Sequence, residues 1–458
     1  MEVSTEMSIL KKFKSLFENK ELPEEKATNE NLSTINLKFR PTKPGTYKIE
    51  TEIIASSDSS YLASKAARIC VGMGPILEYK DRLKHLSKIM KLGHESISEH
   101  SNIVIAIHIP SSSLNDDFFA FMQALTYVRC KWGKDDVGRH VLLMSGSIRA
   151  YKHILRYTKD VTHNIYCREI INALYVSAES VFFEDLIADG IMEESSFSGY
   201  LDTIKTVPIQ HIDQGENAIV GKQSHYTIDT NKGMISLLST EHHKFKKIYD
   251  AVKKYGFDKN DLLDIVTVSV EFKHISRPIS MQIIRHRNAV TQESQRYVEY
   301  TNKGFIDPMK YSSKEKKTYK LSLFGKNFEL NSEELGNRLC KIYKQLLEQG
   351  MKKEEARGFL PANVNTKVLM TFTYRHLFHF FLMRDDKAAQ PEIQAIAKAL
   401  KEAFREYEPE LVDIPYSIAD MPIYKSENVK LKILDESIDE VIEEELLDEN
   451  DSTNNGSN

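Results

Sequence analysis

Apolar and polar residues alternate along two stretches that lie far apart in the chain. The runs are 103–109 and 263–273, the second most regular from Ile265 to Phe272. A period of two predicts a half-buried strand. A helical pattern follows each run, at 145–155 and at 371–381. The pattern therefore predicts the same order of strand and helix in each half of the chain.

The two helical patterns also share polar residues in register. Arg149 and His153 in the first correspond to Arg375 and His379 in the second, 226 residues later. Repetition at half the chain length predicts an internal duplication. A single domain with a large insertion after His100 is the alternative, but it does not explain the repeated strand and helix.

Turn-forming residues and changes in composition divide the chain into four segments. An N-terminal appendage at 1–44 ends in a stretch rich in proline and glycine, and we expect the two copies at 45–210 and 211–435. Residues 436–458 are acidic and poor in apolar side chains. Such a composition predicts a mobile tail.

Charge and cysteine usage narrow the class of protein. The 62 basic and 66 acidic residues almost cancel, which disfavours a nucleic-acid-coating protein. Four scattered cysteines without a paired CxxC motif indicate neither a zinc site nor a disulfide framework. No apolar run predicts a membrane span and no signal peptide is evident, so we expect no membrane partner and a cytoplasmic location.

A cationic run at 285–297 contains the most distinctive chemistry. It begins Arg-His-Arg and contains Ser294 and Arg296. Guanidinium groups bind phosphate and planar anions through paired hydrogen bonds, so the run predicts an anion site. A solvated turn with scattered charges is the alternative interpretation.

A second polar segment, at 93–100, reads Gly-His-Glu-Ser-Ile-Ser-Glu-His and lies only in the first half. By itself it is typical of a helix cap. In that order, however, the two segments resemble the two hallmarks of the flavin-dependent thymidylate synthases. That family has seven residues between Arg-His-Arg and the serine, whereas this chain has six. The Arg357 to Pro361 segment and an ungapped run from Leu360 to Ile393 extend the resemblance.

The resemblance implies an α+β fold, with a mixed or antiparallel sheet flanked by helices, present twice in tandem. It implies reductive methylation of deoxyuridine monophosphate (dUMP) to thymidylate, with methylenetetrahydrofolate as carbon donor and NADPH-reduced FAD as cofactor, and no metal. It also implies assembly from several subunits, which in this chain predicts a homodimer that mimics a tetramer.

Roles for individual residues follow from the same resemblance. Arg384 is the expected catalytic residue, stabilising negative charge on the uracil ring. The expected dUMP-binding residues are Gln282, Arg285, Gln292, Ser294, Gln295, Arg296, Arg357 and Arg384. The expected FAD-binding residues are His94, Ser96, Arg285, His286, Arg287, Gln292, Thr373, Arg375 and His379.

Some positions depart from the family pattern. Thr373 and His379 replace asparagines, Ala388 replaces a histidine, and Thr158 stands in the first half where the catalytic arginine would be. The first half is therefore not expected to activate uracil alone. A relative that kept nucleotide binding or an assembly role but lost flavin chemistry is the rival hypothesis, and a changed one-carbon product is a third.

Overall fold

The computed structural model describes most of the chain between residues 49 and 411. The described residues are 49–57, 59–197, 219–220, 223–230, 233–240, 245–307, 311, 318–408 and 411. All of them belong to one compact unit. The predicted appendage and acidic tail lie outside these ranges. No helix within the described ranges is long and apolar enough to cross a membrane.

The first half of the chain builds a four-stranded antiparallel sheet in the order β1-β2-β4-β3. Its strands are β1 (Glu50–Ser56), β2 (Asn102–Ile109), β3 (Arg129–Lys134) and β4 (His140–Ser147). Its helices are α1 (Ser59–Cys70), α2 (Tyr79–Lys91), α3 (Asp116–Gln123), α4 (Ile148–Tyr157), α5 (Ile165–Ser177) and α6 (Glu184–Ala188). β2 confirms the strand predicted at 103–109.

The second half builds a six-stranded sheet in the order β5-β6-β7-β8-β12-β9, and β10 and β11 form a separate hairpin. The strands are β5 (Ile219–Val220), β6 (Gln223–Thr230), β7 (Gly233–Thr240), β8 (Thr267–Ser276), β9 (Ala289–Gln292), β10 (Thr318–Leu323), β11 (Lys326–Asn331) and β12 (Asn365–Thr373). The helices are α7 (Phe245–Val252), α8 (Lys259–Leu262), α9 (Arg277–Ile283), α10 (Ser332–Glu348), α11 (Lys353–Ala356), α12 (Tyr374–Arg384) and α13 (Pro391–Tyr407).

The strand predicted at 263–273 begins four residues late. Residues 263–266 form a turn, in which the amide of Ile265 donates to the carbonyl of Leu262. Their apolar side chains are buried in that turn, so alternation alone did not distinguish it from a strand.

Four strands of each sheet have the same order and direction. β1-β2-β4-β3 corresponds to β7-β8-β12-β9, and every neighbouring pair is antiparallel. β4 and β12 each lead directly into a helix, α4 or α12. In both, a hydroxyl caps the helix: Ser147 accepts from the amide of Ala150, and Thr373 from that of His376.

The first helix of each half lies on the sheet of the other half. α1 contacts β9 and β12, whereas α7 contacts β1. Val104 and Ala106 of β2 share a core with Phe245 and Val252 of α7. Burial of apolar surface therefore holds the halves together from both sides.

One buried ion pair crosses between the halves. Nζ of Lys65 on α1 lies 2.8 Å from a carboxylate oxygen of Glu271 on β8, and both side chains are almost fully buried. Lys273 lies 3.3 Å from the same oxygen. A buried charge is costly once its partner is removed, so each member depends on the other.

We expect Lys65→Met to lower the free energy of unfolding by about 3 kcal/mol, because Glu271 then keeps only the more distant Lys273. Denaturant unfolding measures the change. Lys246→Met serves as the control, since Lys246 pairs with Asp250 on the exposed surface of α7. Equal stability of the two variants would contradict a structural role for the buried pair.

Candidate active site

The Arg-His-Arg segment leaves its helix before the first arginine. α9 ends at Ile283, a single 3₁₀ turn covers Ile284–His286, and Arg287 adopts a left-handed conformation with φ of 53°. Arg285 therefore lies in the 3₁₀ turn and not in α9. The break exposes the side chains of both arginines.

A buried carboxylate fixes the start of α9. The backbone N–H and hydroxyl of Ser276 donate to the two oxygens of Glu392, at 2.8 and 2.7 Å. Ser276 stands at the cap position of α9, but its hydroxyl is bound to Glu392 of α13 and does not cap the helix. Pro278 occupies the first turn of α9, where a missing backbone N–H costs no helical hydrogen bond.

The last residue of α12 contacts the Arg-His-Arg turn. Nε of Arg384 donates to Nε2 of His286 over 3.2 Å, so this imidazole nitrogen carries no proton. Burial lowers the pKa of His286 to about 4, and the positive charge of Arg384 acts in the same direction. Burial and the neighbouring Arg285 also lower the pKa of Arg384.

Positive charge around this contact is left uncompensated. Among the residues that the structure describes, no carboxylate lies within ion-pairing distance of Arg285, Arg287 or Arg384. Guanidinium groups in this state are available to an anionic ligand. The rings of His286 and His379 lie 5.9 Å apart, and Nδ1 of His379 is buried without a hydrogen-bond partner among the described residues.

The α12 helix confirms the helical pattern predicted at 371–381, and its polar residues contact different neighbours. Nε of Arg375 pairs with Asp264 at 2.7 Å, and its Nη2 donates to the carbonyl of Asn260 at 2.8 Å. His379 instead lies beside His286. Arg384 reaches the same region because a long helical side chain points back toward the N-terminus. Arg375 and His379 therefore do not serve one common surface.

Two polar residues near His286 were missed by the sequence argument. Nδ1 of His376 lies 2.7 Å from Oδ1 of Asn288, whose amide donates to the carbonyl of His286 at 2.9 Å. Burial lowers the pKa of His376 to about 4. Only their positions, directly after Arg287 and directly after Arg375, could have drawn attention to them.

Two glutamines are oriented by neighbouring polar groups. The amide of Gln282 donates to Gln390 at 2.7 Å, and that of Gln292, at the end of β9, donates to the hydroxyl of Ser280 at 2.6 Å. Both bonds leave the orientation of the amide defined. The donors and acceptors of Gln282 and Gln292 are thus set by α9 and the residue that precedes α13.

A second cationic cluster lies around Arg296 and α11. Nε of Arg296 lies 3.6 Å from Glu354, and Lys353 donates to the carbonyl of Tyr297 at 3.2 Å. Arg357 follows α11 directly and is exposed. The structure thus brings Arg296 near the helix that precedes Arg357.

Residues around Ser294 are joined to the first half. The amide of Ser294 donates to the carbonyl of Cys70 at the end of α1, and its hydroxyl accepts from the amide of Arg296. Gln295 is largely buried. The carboxylate of the adjacent Glu293 is buried and pairs with Lys303 at 2.8 Å. This segment is therefore held on both sides of the half-buried Ser294 and the exposed Arg296.

The first-half segment at 93–100 meets the second half through its last residue. His100 is fully buried, with Nδ1 2.9 Å from the hydroxyl of Thr371 and Nε2 3.0 Å from that of Thr291. Burial lowers its pKa to about 3. His94 and Ser96 remain exposed. The two segments singled out in the sequence are thus adjacent within one chain.

The free energy of unfolding is expected to decrease as the pH is lowered, because the pKa values of His100, His286 and His376 are lowered in the folded chain. The unfolded chain takes up their protons near pH 6.5, so their contribution is complete above that value and declines toward pH 4. Each adds a slope of about 1.4 kcal/mol per pH unit. Unfolding of His100→Asn at pH 7.5, 5.5 and 4.5 should show one such slope lost. An unchanged slope, matching the exposed His163→Asn control, would contradict this account.

Comparison with known proteins places the second half in a family. Residues 212–410 match the family model described as Thy1, Thymidylate synthase complementing protein. Two solved structures of flavin-dependent thymidylate synthase from Helicobacter pylori, complexed with FAD and dUMP, show 20% and 16% identity. They cover 36% and 37% of this chain and 82% and 93% of those chains, with a TM-score of 0.27 each. A score that low carries no structural argument.

Two curated relatives of this chain are both named flavin-dependent thymidylate synthase. The flavin-dependent thymidylate synthase of Pyrococcus abyssi is 33% identical over 172 residues, which are 36% of this chain and 67% of that protein. That of Kosmotoga olearia is 33% identical over 141 residues, 29% of this chain and 61% of that protein. The chain thus spans about two thirds of these relatives or less. By its identity with the Pyrococcus protein over that length, the chain belongs to the flavin-dependent thymidylate synthase family.

Proposed function

We propose that the chain converts dUMP to thymidylate, using methylenetetrahydrofolate as carbon donor and FAD reduced by NADPH. The contact between Arg384 and His286 carries the proposal. It joins α12 to the Arg-His-Arg turn. The guanidinium groups of Arg285, Arg287 and Arg384 around it have no carboxylate partner among the described residues. Both dUMP and FAD carry anionic phosphate groups and a planar ring system, which suits this set of groups.

Arg384 is the proposed catalytic residue. Its charge stabilises negative charge on the uracil ring, which makes C5 a better nucleophile toward the carbon donor. His286 accepts from Nε, which leaves the terminal nitrogens of the guanidinium free to face the base. Because His286 is neutral, it holds this orientation without adding positive charge.

Nucleotide binding is assigned to two groups of residues. Gln282, Arg285 and Gln292 form the first group, and their amide and guanidinium groups suit the base and phosphate. Arg285 is the member whose charge acts on Arg384. Ser294, Gln295, Arg296 and Arg357 form the second cluster. Arg296 is held near Glu354 by a 3.6 Å ion pair, which an incoming phosphate can displace.

Residues of both halves fit the flavin. FAD supplies the hydride-transfer chemistry when bound. Arg285, His286, Arg287 and Gln292 would hold it from the second half, and His94 and Ser96 from the first. The buried unpartnered Nδ1 of His379 offers one further polar contact.

Two assigned residues, Thr373 and Arg375, favour the rival hypothesis of a relative without flavin chemistry. Thr373 caps α12, and Arg375 is bound by Asp264. Purified chain that is colourless and still binds dUMP would support the rival. A flavin absorption band would support the enzyme.

We also propose that the chain arose by duplication, with copies at 45–210 and 211–435. The shared order β1-β2-β4-β3 and β7-β8-β12-β9, with a capped helix after β4 and β12, supports this. Two chains would then provide four copies. The second copies pair about a twofold axis, and each lends the Ser294 to Arg296 segment to its partner's Arg285 and Arg384.

The activity is tested by anaerobic incubation with dUMP, methylenetetrahydrofolate, FAD and NADPH, followed by the mass of the product. We expect thymidylate from the unaltered chain and a decrease in kcat of about 10²–10³-fold for Arg384→Ala, because the developing charge loses its stabilising cation. Lys387→Ala, an exposed cation three residues away, is the control. Absence of thymidylate from the unaltered chain would contradict the proposal.

The shared site predicts complementation between inactive chains. Arg384→Ala and Arg296→Ala chains, each inactive alone, are co-expressed with different tags. Random pairing makes half of the dimers mixed, with one intact site of two, so about a quarter of full activity should return. No recovery in mixed dimers purified through both tags, or an active monomer by mass measurement, would contradict a shared site.

A further inference from the structure

The first-half helix α4 presents cations that its counterpart α12 does not have. With the offset of 226 residues, Lys152 and Arg156 correspond to Phe378 and Leu382. The fold itself therefore does not require charge at these positions. Thr158, which replaces the arginine, donates its hydroxyl to the carbonyl of Ile154 at 2.7 Å and stays on its own helix.

The side chain of Lys152 is only 1% exposed and lies between two carboxylates. Its Nζ is 2.7 Å from Oε1 of Glu95 and 2.7 Å from Oδ1 of Asp185 on α6. A buried ammonium group is tolerated only with such partners. The position of Lys152 therefore depends on Glu95 and Asp185.

Arg156, which is more exposed than Lys152, also binds Glu95. Its Nη1 and Nη2 donate to the two oxygens of Glu95, at 3.0 and 2.7 Å, and it also contacts Asp185. These hydrogen bonds from Arg156, together with Lys152, lower the pKa of Glu95 to about 2, so the carboxylate stays ionised across the neutral and mildly acidic range. Paired bonds of this kind define geometry as well as energy.

Glu95 lies between the two first-half residues assigned to the flavin. His94 and Ser96 are exposed on either side of it, and His94 has no capping hydrogen bond from its side chain. Gly93, just before His94, has a φ of 79°, a left-handed conformation that favours glycine. Gly93 has no side chain that could anchor the turn. The ion pairs of Glu95 thus anchor the turn at the residue between His94 and Ser96.

We infer that Lys152 and Arg156 are positioning residues, which hold Glu95 so that His94 and Ser96 are arranged for the flavin before it binds. The inference rests on the proposed function. It gives α4 of the first half, which lacks the catalytic arginine, a role in FAD affinity. Nucleotide binding remains assigned to the second half. Preorganisation of this kind lowers the ordering cost of binding.

The test compares FAD dissociation constants, by flavin fluorescence quenching, for Arg156→Gln and Glu95→Gln in the full chain. We expect FAD binding to weaken about tenfold in both variants, with dUMP binding nearly unchanged. The melting temperature should stay nearly unchanged in Arg156→Gln and should fall in Glu95→Gln, because buried Lys152 then keeps only Asp185. Hydrogen exchange of peptides covering 92–97 should become faster. Arg156→Lys should restore part of the affinity, because one charged bond to Glu95 remains possible.

Lys253→Gln is the matched control, since it breaks an ion pair with Asp250 on a surface far from the turn in sequence and in role. Lys152→Met is a further variant, and Arg156→Gln decides the matter if Lys152→Met does not fold. Unchanged FAD affinity in both Arg156→Gln and Glu95→Gln would overturn the inference alone. An unaltered chain that binds no FAD would overturn the proposed function and the inference with it.

Discussion

The structure depends on one buried imidazole that joins its halves. His100 ends the first-half turn, and its two ring nitrogens reach Thr371 on β12 and Thr291 on β9. β9 follows directly after the Arg-His-Arg turn, so the hydrogen bonds of a single side chain fix the distance between the two polar segments. A neutral ring suits this place, because a charged one would lie between two hydroxyls, with no carboxylate paired to it among the described residues. The helices α1 and α7, each of which lies on the sheet of the other half, bury apolar side chains in the two cores on either side.

Much of the fold could be predicted from the sequence, because its signals are local. Alternation gave β2 and the core of β8, and α12 follows from an apolar pattern. The tertiary contacts had no such signal. Arg285 leaves its helix because the chain must turn into β9, and Arg375 binds Asp264 because α8 lies beside α12. The hydrogen bonds between His376 and Asn288 and between Ser276 and Glu392 join residues far apart in the chain. Neither the spacing nor the charge of these residues predicts the contacts.

The two halves use similar helices for different electrostatic purposes. α12 ends in Arg384, whose charge is uncompensated among the described carboxylates and faces a neutral histidine. α4 carries Lys152 and Arg156, whose charges are neutralised by Glu95 and Asp185. Uncompensated charge favours an anionic ligand, whereas compensated charge favours a fixed backbone. A resemblance in sequence between two helices therefore does not imply equivalent chemistry.

The ion pair of Lys65 with Glu271 has a consequence for assembly. Two separate polypeptides would have to strip water from both groups each time they met, and such a penalty weakens association at low concentration. Within one polypeptide the encounter is intramolecular, and a tether supplies an effective concentration of the order of millimolar. The covalent connection therefore lets this interface keep charged groups that a freely dissociating interface would disfavour, and it fixes the ratio of the two halves at one to one during synthesis.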